Sequence, residues 1–218
     1  ALAHVIGTFG VFFGILLALV AVSVYENLAH TRDVVIDEAS RAGALYRASS
    51  ALPDGAGDRM HDTIDEYLRT VIEEDFPQQQ RQVLPTASDA QADELEEILD
   101  SVEAGSLTEQ AQYKQALETF DSLIEARRAR IDATTLALPP LLWVVIWVGA
   151  LVNAVLIAFI AVRSRRLHLL MAGLLSLFIG LVIFVTADMD HPYAGDIAID
   201  AGAFERVLEQ VVAESGSG

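Results

Sequence analysis

Residues 5–25 read VIGTFGVFFGILLALVAVSVY, a run without Asp, Glu, Lys or Arg. A helix rises about 1.5 Å per residue and the hydrocarbon core of a bilayer is about 30 Å thick, so roughly 20 apolar residues suffice to cross it. Two further uncharged runs meet the same requirement, Pro139–Val162 and Leu169–Ala187. The chain therefore reads as an all-α, multi-pass membrane protein. A span over 1–25 leads into an acidic helical domain over 26–138. A transmembrane hairpin follows over 139–187 with a basic connector at 163–168, and an acidic segment occupies 188–218. The first residue is Ala, which is the expectation for a sequence that begins inside a longer protein.

Charge separates these parts. Residues 26–138 hold 24 acidic and 10 basic side chains, and residues 188–218 hold 7 acidic and one basic. The connector carries Arg163, Arg165 and Arg166 with no acid beside them. An acidic exterior is the wrong sign for nucleic acid, whose phosphates need Lys and Arg patches. The chain has no cysteine, which excludes disulfides, thiolate catalysis and Cys-based zinc or iron–sulfur sites. HExxH, P-loop and GxGxxG motifs are absent, and His61 and His191 have no nucleophile context, so the chain does not read as an enzyme. No cofactor is expected, with Ca²⁺ the one candidate ion.

Periodicity predicts four helices in the acidic domain. The first continues from the span without a break, with Val35, Ala39, Ala42, Tyr46 and Ser49 on one face, and ends near Leu52-Pro53-Asp54-Gly55. The second covers about 58–76 with Met60, Ile64, Tyr67, Leu68, Val71 and Ile72 as its stripe, stopped by Pro77 and followed by a Gln-rich loop. The third covers 88–103 with Ser88 as cap and Leu95, Ile98, Leu99 and Val102 buried. The fourth covers about 108–134 with Tyr113, Leu117, Phe120, Ile124 and Ile131. The expected arrangement is a membrane-proximal antiparallel four-helix bundle into which the long helices extend.

Within the spans, Gly7, Gly10, Gly14 and Ala18 form a small-residue stripe that permits close helix approach or lines a pore. Asn153 is the strongly polar side chain near mid-span, suited to interhelical hydrogen bonding or to an ion path. Trp143 reads as an interfacial aromatic and Trp147 as a residue packed between helices. Candidate cation ligands are Asp188, Asp190 and Asp196, in the sequence DMDHPYAGD that closes the third span; a helix end entering a Pro-Gly turn and a salt-bridge hub are the other readings. Glu26, at the end of the first span, is expected to pair with Arg127, Arg128 or Arg130. Arginine density favours a cytoplasmic connector and an extracytoplasmic bundle.

Several stretches together resemble a bacterial bestrophin-like membrane family. They are Val11–Glu26 (VFFGILLALVAVSVYE), Glu38-Ala39, Leu45-Tyr46-Arg47, Leu52-Pro53, Val71–Pro77 (VIEEDFP), Leu138–Trp143 (LPPLLW) and Asp190–Gly195 (DHPYAG). The family more often has Trp before the proline of the fourth stretch's successor, at Phe76, and often Phe at Tyr193. The resemblance implies a further span upstream of Ala1. It also implies an oligomeric ion channel with a helical domain between its second and third spans, a domain that is cytosolic in known bestrophins. No bestrophin pore or calcium-clasp residue maps onto this sequence. The functional expectation is a homo-oligomeric channel in a bacterial cytoplasmic membrane, with lipid and inorganic ions as partners. The alternative is a sensor, scaffold or accessory subunit with a ligand- or partner-binding helical domain.

Overall fold

The computed structural model describes residues 2–53, 55–159 and 164–215. Asp54 of the expected turn, residues 160–162 at the end of the second expected span, Arg163 of the connector and the terminal residues 216–218 lie outside them. Among the described residues all regular elements are helical. They are α1 (Leu2–Ser49), α2 (Ala56–Thr70), a π-helical turn (Val71–Asp75), α3 (Phe76–Gln80), α4 (Asp89–Asp100), α5 (Leu107–Ala133), α6 (Pro140–Ala158), α7 (Arg165–Met189) and α8 (Gly202–Ser215).

Two compact units share these elements. The membrane unit comprises Ala1–Ala29, Leu136–His191 and Gly195–Ile197, and the second unit His30–Thr135, Pro192–Ala194 and Ala198–Gly218. Among the described residues three helices are long and apolar enough to cross a membrane: α1, α6 and α7. In the membrane unit the core is formed by Phe13, Leu17, Val20 and Val24 of α1 with Leu138, Ile146 and Ile183. Gly149 lets α1 and α6 meet closely, since a Cβ there would lie 2.5 Å from the Phe13 ring. The opposite surfaces expose Val11, Ile15, Leu19, Leu151, Leu174 and Phe178. A large apolar surface of this kind is stable only in lipid or against another apolar surface.

α1 is unbroken, as its lack of internal Pro predicts, and the face from Val35 to Ser49 is buried as expected. The second helix departs from expectation. Pro77 does not stop it; the chain passes through the π turn, where the Phe76 amide reaches the Val71 carbonyl, and a helix resumes at Phe76–Gln80. Proline clashes with the carbonyl four residues back and donates no hydrogen bond, and a widened turn absorbs both defects. The Gln-rich stretch is thus partly helical, and Gln79 is buried.

Ser88 precedes α4 but makes no side-chain cap; its hydroxyl donates to Asp75 instead. α5 opens with a capping box formed by Ser106 and Glu109, whose reciprocal bonds satisfy otherwise orphaned amides and hold the Glu109 carboxyl below its ordinary range. Its buried face is rotated from the expected one: Phe120, Leu123, Ala126, Arg127, Arg130 and Ala133 point inward, whereas Ile124 and Ile131 are only partly covered. Residues 134–139 separate α5 from α6, because Pro139 and Pro140 bring no amide donors and Pro139 disfavours a helical residue before it.

α8 was not expected. Ala203, Phe204 and Val211 bury one face of it, and Phe204 is fully enclosed. It packs on α2 and the π turn, and the missing side chain of Gly43 admits Val207, whose Cγ1 would lie 3.2 Å from a Cβ there.

Candidate functional site

The five residues named for pore lining or helix packing divide into two groups in the membrane unit. Gly10 turns toward α6, where its Cβ position would lie 3.9 Å from Asn153 Oδ1, and Asn153 is buried. Gly7, Gly14 and Ala18 turn away from that seam and share one face of a 3.6-residue helix. Among the described residues a Cβ at Gly7 or Gly14 would meet nothing within 4 Å, and Ala18 is exposed. Trp143 packs on the core and donates its indole N–H to Asp190, whereas Trp147 is 61% exposed.

The aspartates closing α7 hold the local chain together. Asp190 is 5% exposed and accepts from the Leu138 amide (2.7 Å) and from Trp143 Nε1 (2.9 Å). It thereby ties the end of α7 to the residues that start α6, where the prolines leave few other donors to satisfy. Asp188 accepts from the amides of Asp196 (3.1 Å) and Ile197 (3.2 Å), closing the turn through Gly195. Gly195 has φ +111°, and a Cβ there would lie 2.7 Å from Asp188 Oδ1, so the turn demands glycine. Asp196 contributes its backbone to this arrangement and is exposed. Among the described residues no cluster of three or more His, Cys, Asp or Glu side chains is arranged to hold a metal ion.

The second unit contains a buried ionic network that was not anticipated. Arg130, with no exposure, donates from Nε to Glu38 (2.6 Å), from Nη1 to Gln79 (2.7 Å) and from Nη2 to Asp75 (3.0 Å). Tyr67 donates to the other oxygen of Glu38 at 2.5 Å. Asp75 also accepts from the Ser88 hydroxyl (2.6 Å) and from the amides of Ala87 (3.1 Å) and Ser88 (3.3 Å). Arg127 extends the network, donating to Ser88 Oγ (3.1 Å) and Asp89 (2.6 Å). The Arg130 guanidinium further lies 5.9 Å from the Phe76 ring centre and 5.7 Å from that of Phe204. One cation thus bonds to groups from α1, the π turn and α3, and meets the face of α8.

Burial alone would depress the Arg130 pKa, but Glu38, Tyr67 and Asp75 outweigh it and hold the guanidinium above its ordinary value. Burial, followed by the Glu38 carboxylate, pushes the Tyr67 phenol well up. Tyr193, which donates to the Arg130 carbonyl at 3.3 Å, is also raised by burial. The expected pairing of Glu26 with the α5 arginines is replaced: Glu38 and Asp75 take Arg130, Asp89 takes Arg127, and Glu26 and Arg128 are exposed. Buried carboxylates enclose a guanidinium more effectively than an exposed one, and the two on hand are Glu38 and Asp75.

Comparison with known proteins adds to this geometry. A family model described as Bestrophin-like domain matches residues 2–204. No curated protein matches the sequence. The fold is similar to the crystal structure of a single-substitution variant of a bacterial bestrophin homologue from Klebsiella pneumoniae. That likeness has a TM-score of 0.78 at 9% identity and covers 97% of this chain and 87% of the other. A crystal structure of a membrane protein variant is similar with a TM-score of 0.73 at 10% identity, covering 96% of this chain and 85% of that one. At these identities the likeness is one of fold.

Proposed function

The chain belongs to the bestrophin-like family, and from that premise we propose that it assembles into a homo-oligomeric ion channel of a bacterial cytoplasmic membrane, with α1 beside the conduction path. The observation that carries the reading is the small-residue face of Gly7, Gly14 and Ala18, around which the described residues leave open space. The packing among the described residues uses Phe13, Leu17, Val20 and Val24 instead. Small side chains there leave room either for a neighbouring helix or for a hydrated ion column. In this reading Asp188, Asp190 and the Arg130 network are scaffold, and no catalytic role is assigned.

Gly14→Leu tests the reading. It adds a bulky side chain where no described residue is displaced, so it should lower ion flux several-fold in reconstituted vesicles while the subunit number stays that of the wild type. Leu19→Val, on an exposed face well away from Gly14, should leave flux unchanged. Wild-type flux in Gly14→Leu would remove α1 from the conduction path.

A further inference from the structure

We infer that the groove between α6 and α7 is a binding site for an anionic phospholipid, with the headgroup phosphate at the start of α7 and an acyl chain along the groove. The groove holds about 520 Å³ and its walls are apolar, among them Ile157 of α6 and Met171, Leu175 and Phe178 of α7. Among the described residues its one ionisable lining residue is His168. His168, Met171, Ala172, Leu175 and Phe178 recur at three- and four-residue steps, so they form a single stripe along α7. Arg165 continues that stripe one turn further toward the helix start, and Arg166 stands beside it; both are exposed.

From Arg165 to Phe178 a helix rises about 20 Å, close to the depth of one leaflet from headgroup to midplane. The stripe is therefore cationic where phosphates lie and apolar where acyl chains lie. Nothing nearby in sequence neutralises it, because residues 139–187 contain no acid. The backbone adds to the attraction: the start of a 25-residue helix carries partial positive charge, and Ser164 gives it no side-chain cap.

A phospholipid with net negative charge fits both ends of this surface. A second copy of the chain, through residues 5–25, 139–162 and 169–187, offers this surface apolar side chains and no carboxylate. The inference is independent of ion conduction, because it concerns a lipid-facing surface of the hairpin.

The test is native mass spectrometry of the full-length protein in detergent, given phosphatidylglycerol or phosphatidylcholine of equal chain length. Phosphatidylglycerol should be retained several-fold better, and the double variant Arg165→Gln/Arg166→Gln should reduce it to the phosphatidylcholine level. Ala172→Trp, which fills the groove, should lower phosphatidylglycerol retention several-fold with the subunit number unchanged. Equal retention of the two lipids by the wild type overturns the inference and needs no variant to fold. Unaltered retention in both variants also overturns it. Displacement of bound lipid by millimolar inorganic phosphate would show a free-anion site instead, and a changed subunit number in Ala172→Trp would show that a second copy covers the groove.

Discussion

Arg130→Met is expected to melt about 10 °C or more below the wild type when full-length protein is heated and followed by circular dichroism. The wild-type guanidinium makes ion pairs with two carboxylates that have no exposure of their own. Methionine fills the volume between Phe76 and Phe204 but leaves Glu38 and Asp75 buried and opposed by no direct cation. Removing one partner of a buried ionic group costs about 3–5 kcal/mol, whereas replacing every partner can be nearly neutral. That cost corresponds to a shift of about 10 °C in a domain of this size. The triple variant Arg130→Met/Glu38→Gln/Asp75→Asn should recover part of the loss, which separates stranded charge from lost packing. Arg130→Lys should fall between, because an ammonium keeps the charge but cannot reproduce the three-way fork. A melting temperature for Arg130→Met within about 2 °C of the wild type would show that the network is not what holds these helices together.

Asp190→Ala is expected to destabilise the membrane unit by about 3 kcal/mol. It strands two donors, the Leu138 amide and the Trp143 indole. Hydrogen bonds to a charged group are worth about 1.5–3 kcal/mol each, and an unsatisfied buried donor loses its water as well. Asp190→Asn should cost less, since an amide oxygen still accepts one of the two bonds. Thermal unfolding gives the magnitude, and the Trp143 emission should change in Asp190→Ala because its hydrogen-bond partner is gone. An Asp190→Ala protein as stable as the wild type, with unchanged tryptophan emission, would refute the clamp.

The spans and most apolar stripes were legible because they follow from patterns one helix long. Three uncharged runs identified α1, α6 and α7, and Met60, Ile64, Tyr67 and Leu68 are buried in α2 as their spacing required. What escaped depends on partners distant in sequence. Arg127 and Arg130 were expected to pair with Glu26, since nothing within α5 shows that Asp89 will meet the one and the buried Glu38 and Asp75 the other. Glu38 did carry a signal: it stands three residues after Val35, inside an apolar stripe where a carboxylate needs a cation. The π turn at Val71–Asp75 was hidden because Pro77 ordinarily ends a helix. α8 was masked by the acidic composition of its segment, although Phe204, Val207 and Val211 recur at helical spacing. For Asp188 and Asp190, acid content alone could not separate an ion ligand from a turn; the amides and the indole they accept from are set by the folded chain.

The central claim, that this bestrophin-like chain assembles around an axis that α1 can line, is tested most directly by the subunit number of the full-length protein in nanodiscs, measured by native mass spectrometry. A closed ring of four or more identical subunits is the predicted result, since only a ring places the Gly7, Gly14 and Ala18 faces around one axis. A monomer or a dimer would contradict the channel account and leave the chain as a sensor or accessory subunit with a buried ionic core.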